Sequence, residues 1–127
     1  MNTPEDAAGS VAVQAEALYL MNLLLAPGLG FIGLLWLARH HAHDRSELTR
    51  CHLRQTIVAS IWAGVLLMVV TLLIVLLGGF NNPATWVVLI LYFVCCHSAL
   101  ILFGVLGLAR AMAGQIYIYP LIGSRRW

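Results

Sequence analysis

The chain has no lysine. Its seven basic residues are all arginine, and only five residues are acidic. Charged residues make up 9% of the sequence, against roughly 25% in soluble domains. That is too little charge to coat a soluble fold. The net charge of +2, with no basic stripe interleaved with aromatics, also excludes a nucleic-acid surface. Three cysteines are present, none in a C-x-x-C pair, so neither a zinc ribbon nor a thioredoxin-type motif is present. The opening "MNTPEDAAGSVAVQAEA" lacks the basic n-region of a secretory signal, and the first apolar run is expected to be retained.

Apolar residues fill the space that charge leaves, at 61% of the chain with a mean hydropathy of +0.90. Three runs, 17–38, 56–80 and 85–108, contain no Asp, Glu, Lys or Arg. Each reaches the roughly 20 residues that a membrane-crossing helix needs. Barrel strands would be shorter and alternating. The predicted fold is therefore an all-α integral membrane protein with three transmembrane helices. Polar residues 1–16 precede a membrane domain at 17–109, and an interfacial Tyr-rich tail occupies 110–127. Arg39, Arg45, Arg50 and Arg54 lie between the first two runs, and Arg110, Arg125 and Arg126 follow the third. With three crossings all seven arginines share one side, which the positive-inside rule makes cytoplasmic. The expected place is the bacterial inner membrane, with the N-terminus outside and the C-terminus in the cytoplasm.

The connections refine this picture. Asn81-Asn82-Pro83 suits a tight turn between the second and third helices. Asp44 with Glu47 three residues on suits a helix N-cap, which predicts a short cytoplasmic lead-in helix from about Arg45 into the second span. Within the first run, Pro27 removes a backbone donor and Gly28 and Gly30 loosen the same turn, so a kink is expected there. Ala26, Gly30 and Gly33 share a face suited to close helix contact.

The third run contains "YFVCCHSAL". Successive helical residues point about 100° apart, so Cys95, Cys96 and His97 cannot bind one ion together, and the cysteines read as small apolar fillers. His97 begins a stripe of small residues that continues through Gly104, Gly107, Ala111 and Gly114, a face that should meet protein. At the depth of Pro27, a neutral His97 is expected to donate to a freed carbonyl near Leu23, to a polar side chain or to water. It is also the candidate for a haem ligand shared with a partner subunit, because the apolar runs supply no second histidine. At the surface, His40, His41, His43 and Asp44 read as a solvated, headgroup-facing cluster. In the tail, Gly114 suits a helix C-cap. Tyr117, Tyr119 and Trp127 suit the membrane interface, and Pro120 ends an extended "IYIY".

"CHLRQ" and "AMAGQIYIYPL" together resemble the two motifs of a family of small bacterial membrane proteins of unknown function, related to the Tic-twenty component of chloroplast protein import. The matching positions are His52, Arg54, Gln55, Ala111, Gly114, Tyr117, Tyr119 and Pro120, within a resemblance running from about Ala17 to Ile122. Thr56 and Val58 stand where that family carries alanine and asparagine. The resemblance implies a helical membrane protein, membership of a membrane complex, and no defined reaction. Both motifs fall on the cytoplasmic side, so Gln55 or Arg54 is expected to bond tail carbonyls or a tyrosine hydroxyl as a clasp.

The leading functional reading is a non-catalytic accessory or structural subunit of a larger bacterial inner-membrane complex. Its expected partners are the bilayer, other membrane subunits or further copies of itself, and no nucleic acid. No catalytic residues, metal site or cofactor of its own are read from the sequence. Two alternatives stay open: an oligomeric channel or translocation component, and a haem- or quinone-contacting electron-transfer subunit.

Overall fold

The computed structural model describes residues 3–123. Arg125, Arg126 and Trp127 lie outside the described residues. Helix α1 (Pro4–Leu24) starts at a capping box in which Thr3 and Asp6 bond each other's backbone amides. It continues without interruption across residue 16, so the polar segment and the membrane run share one element. Helix α2 (Leu29–His40) follows after four residues.

These two helices correct the kinked first span. The chain does not kink at Pro27; it reverses. Gly30 packs against Asn22 and Gly33 against Leu18, so α2 runs back antiparallel along α1. A Cβ on Gly30 would come within 2.6 Å of Asn22, which is why the return helix carries glycine there. Gly28 adopts φ 91°, a left-handed value that glycine takes without strain. The Asn22 Oδ1 accepts from the amides of Gly28 (2.8 Å) and Phe31 (3.2 Å), so one side chain satisfies two donors at the start of α2. Pro27 needs no partner for the N–H it lacks.

Helix α3 (Glu47–Gly64), a π-helical turn (Val65–Val69) and α4 (Val70–Gly78) form one continuous rod. The rod is capped by Ser46, whose Oγ accepts from the Thr49 amide. The expected cap at Asp44 is therefore displaced by two residues, and Asp44 instead accepts from the Ser46 amide. In the π turn the Val70 amide reaches back to Val65, and the Tyr92 hydroxyl donates to the Leu66 carbonyl at 2.6 Å. The turn at 79–82 leads into α5 (Pro83–Met112), capped by Asn82 with Pro83 at its first position. Gly114 closes α5 with φ 69°. Its amide bonds Ala111 and the Gln115 amide bonds Arg110, a Schellman termination.

The rod Glu47–Gly78 and the helix Pro83–Met112 are each long and apolar enough to cross a membrane, and little of the most apolar stretch of either is buried within the protein. The α1–α2 hairpin packs on one half of this pair only. Gly104 and Gly107 of α5 lie against Tyr19, Leu20 and Glu16 of α1. The small-residue stripe is thus covered by the protein's own first helix. Among the described elements helix α4 touches the π turn and α5 alone, and none of its residues is buried. Because α1 and α2 lie antiparallel, the start of α1, the 41–46 loop and the tail gather at one end. The N-terminal helix therefore sits with the arginines. The expectation of a third crossing, with the N-terminus opposite them, does not fit this geometry.

Candidate functional site

The buried face of α1 reads Ala8, Ala12, Ala15, Tyr19 and Leu23, spaced by threes and fours as an amphipathic helix requires. Glu16 falls within that face and is fully buried. Its Oε1 lies 2.6 Å from His52 Nδ1 on α3. Its Oε2 accepts from the Tyr119 hydroxyl of the tail. The other imidazole nitrogen, Nε2, lies 2.9 Å from the Gln115 carbonyl. Gln55 Oε1 accepts from the Tyr119 amide at 3.4 Å, and Cys51 Sγ reaches the Tyr117 carbonyl at 3.6 Å. Tyr19 stands edge-on to Tyr119, with ring centroids 5.4 Å apart. Three distant points of the chain are thereby tied together at the arginine end of the bundle.

The proton inventory of this cluster follows from its geometry. A carbonyl only accepts, so His52 Nε2 carries a hydrogen toward Gln115. Nδ1 and Glu16 Oε1 then hold one further proton between them, either on the carboxyl or on the imidazole. Both arrangements leave the pair with no net charge, as a dry site demands. Burial pushes the Glu16 carboxyl above its usual range, and the hydrogen bonds from His52 and Tyr119 oppose that shift. Burial likewise raises the Tyr119 phenol, reinforced by the neighbouring Glu16, so Tyr119 serves as a donor.

The residues singled out by sequence divide between this cluster and its surroundings. His52, Gln55 and Tyr119 are buried within it. Arg54 is exposed and takes no part. Tyr117 is half-buried beside Tyr119, at 5.5 Å between rings. Pro120 is exposed and turns the chain so that the Ile122 amide meets its carbonyl. Gly107 makes room for the Glu16 carboxylate, and Ala111 is buried on the same α5 face. Glu16 itself was missed, because an acidic residue before an apolar run reads as a surface charge. The available signal was its register with Ala12 and Tyr19.

His97 sits elsewhere, at the middle of α5. It lines a cavity of about 160 Å³ with Asn22, Leu23, Pro27, Ala63, Gly64, Leu67, Met68 and Phe93. The expected neighbours near Leu23 and Pro27 are there, but His97 Nδ1 has no hydrogen-bond partner. Its ring stacks on Phe93 at 5.5 Å. Among the described residues no three His, Cys, Asp or Glu side chains converge to hold a metal. At the end of α2, His40 stacks on Trp36, and His41 Nδ1 lies 3.1 Å from the Leu37 carbonyl.

A model of the magnetosome magnetite crystal formation protein family matches residues 11–125. The chain belongs to that family. The matched stretch includes Glu16, His52, Gln55, His97 and Tyr119. Membership of the magnetosome family makes this a membrane-associated protein of bacterial origin, the level at which the family resemblance read from the sequence stands. A relationship to chloroplast import, and the two motifs as its mark, gain no support. No curated protein matches the chain. No solved structure matches it.

Proposed function

We propose that this protein is a non-catalytic accessory component of the magnetosome membrane that influences magnetite crystal formation from the cytoplasmic side. The observation that carries the reading is the family match across residues 11–125. The distribution of charge supports the sidedness. Asp6, Glu16, Arg39, Asp44, Arg45, Glu47, Arg50, Arg54 and Arg110 all belong to one end of the bundle, and the turn at the other end, Gly79-Phe80-Asn81-Asn82, carries no charge. By the positive-inside rule the arginine end faces the cytoplasm. The rod and α5 then cross the membrane, and the α1–α2 hairpin dips to mid-depth and returns. Iron is bound in proteins by imidazole and carboxylate side chains. The far turn has none, so contact with the mineral belongs to partners, reached through the bilayer-facing helices or the cytoplasmic end.

The test is gene deletion in the source bacterium followed by complementation, with crystal size and number counted by electron microscopy. The intact gene restores the wild-type crystals. A variant with the clasp disabled, Glu16→Ala with Tyr119→Phe, fails to restore them. Conversion of Asn81 and Asn82 to serine leaves restoration intact. Crystals unchanged by deletion would refute an accessory role. Loss of restoration through the Asn81 and Asn82 changes would move the functional contact to the vesicle interior.

A further inference from the structure

The hairpin gives the molecule two unequal halves. On the arginine side of the hairpin tip four helical segments pack together: α1, α2, α3 and the C-terminal half of α5. Beyond the tip, among the described residues, two continue, the Val65–Gly78 portion of the rod and the N-terminal half of α5. The change occurs level with the middle of α5. Pro27 at the tip lines the same cavity as Gly64 and His97, and His97 is the midpoint of the 30-residue α5. Among the described residues nothing else fills the space below the tip: Leu25, at 81% exposure, and Leu29, at 67%, are open there.

We infer that the protein is a molecular wedge that prefers membrane curved toward its arginine end. At a helix diameter of about 10 Å, four helices occupy roughly twice the area of two. The centres of the two halves of a ~30 Å hydrocarbon core lie roughly 15 Å apart. A twofold change in area over that distance matches a sphere of roughly 45 Å radius. That is tighter than a lipid vesicle, so the fit improves steadily as vesicles shrink. In a flat bilayer the far-leaflet lipids must splay to fill the space under Leu25 and Leu29. In a leaflet pair that is wide on the arginine side, that splay is relieved. A compartment closed around a crystal inside a cell is convex toward the cytoplasm. The wedge therefore favours the compartment wall over the flatter parent membrane. The shape is a property of the fold alone, whereas its direction in the cell rests on the cytoplasmic orientation proposed above.

The experiment is reconstitution of the full-length protein into one lipid mixture, prepared as small sonicated and as large extruded vesicles that compete in the same detergent-removal step. A single-span helical peptide serves as the cylindrical control. The expected result is several-fold more protein per unit lipid area in the small vesicles, with no such bias for the peptide. Protease added outside the small vesicles should reach the 41–46 loop, because the wide end occupies the convex leaflet. Equal density in the two populations overturns the inference, and so does a buried 41–46 loop in the small vesicles. Either failure leaves the accessory role in crystal formation untouched, because that role is judged by complementation.

Discussion

Glu16 is the residue on which the arginine end of the bundle depends. It is buried, and it meets His52 and Tyr119 at once. Removing one member of a buried, hydrogen-bonded pair costs about 3–5 kcal/mol. Glu16→Ala is therefore expected to lower the unfolding free energy in detergent by about that amount. Tyr119→Phe loses a single hydrogen bond to a charged or shared-proton group, worth about 1.5–3 kcal/mol. Chemical denaturation followed by helical circular dichroism measures both. The pH dependence has a definite sign. Unfolded glutamate releases its proton near pH 4.3, and the folded Glu16 holds it to higher pH. Between those two values the folded state keeps a proton that unfolded Glu16 has released, so the contribution of Glu16 to stability falls as pH rises through that window. The thermal midpoint of the wild type should drop relative to that of Glu16→Gln across the window and run parallel to it beyond. His52, Gln55 and Tyr119 stand out in the sequence as polar side chains at the edge of otherwise apolar runs. Glu16 does not, since a lone carboxylate shows no partner until the fold supplies one 36 and another 103 residues away.

At the scale of elements, the first apolar run shows where reading a sequence stops. Pro27, Gly28 and Gly30 announce an interruption, and all three are at the interruption found. Whether a helix bends there or folds back is decided by side-chain bonds that hydropathy does not weigh. Asn22 supplies them, and the glycines of α2 let the returning helix approach. The apolar run is as long as a span because two shorter helices also sum to that length. Asn22→Leu removes the bonds to the Gly28 and Phe31 amides. Loss of a helix cap costs about 1 kcal/mol, so backbone amides at 25–31 should exchange with deuterium several times faster in this variant, with the rod and α5 unaffected. Unchanged exchange would mean that packing alone holds the reversal. The π turn at Val65–Val69 left no trace in the sequence. It lies in a uniformly apolar stretch, and its visible partner is the hydroxyl of Tyr92 on the next helix.

For the molecule as a whole, the placement of charge was legible and the number of crossings was not. An odd or even count turns on the single reversal at Pro27, and that reversal moves the N-terminal helix to the arginine side. Cysteine labelling separates the alternatives. In a chain with Cys51, Cys95 and Cys96 replaced by alanine, expressed in a bacterium that forms no magnetosomes, an impermeant maleimide applied to intact spheroplasts should react with Asn81→Cys. It should spare Ser10→Cys and Ile116→Cys until the membrane is opened. Reaction of Ser10→Cys from outside would restore three crossings.

The clasp also imposes an order on biosynthesis. A ribosome delivers Glu16 early, His52 later and Tyr119 last. Until the tail arrives, the first helix carries an acid at an apolar interface with part of its complement missing. A chain cut after Gly114 would retain both long helices yet never close around that acid. Such a product should be cleared by membrane proteases much faster than the full-length chain, and pulse-chase immunoprecipitation would show it. Glu16 would then act as a proofreading mark for complete translation, silent only in a finished molecule.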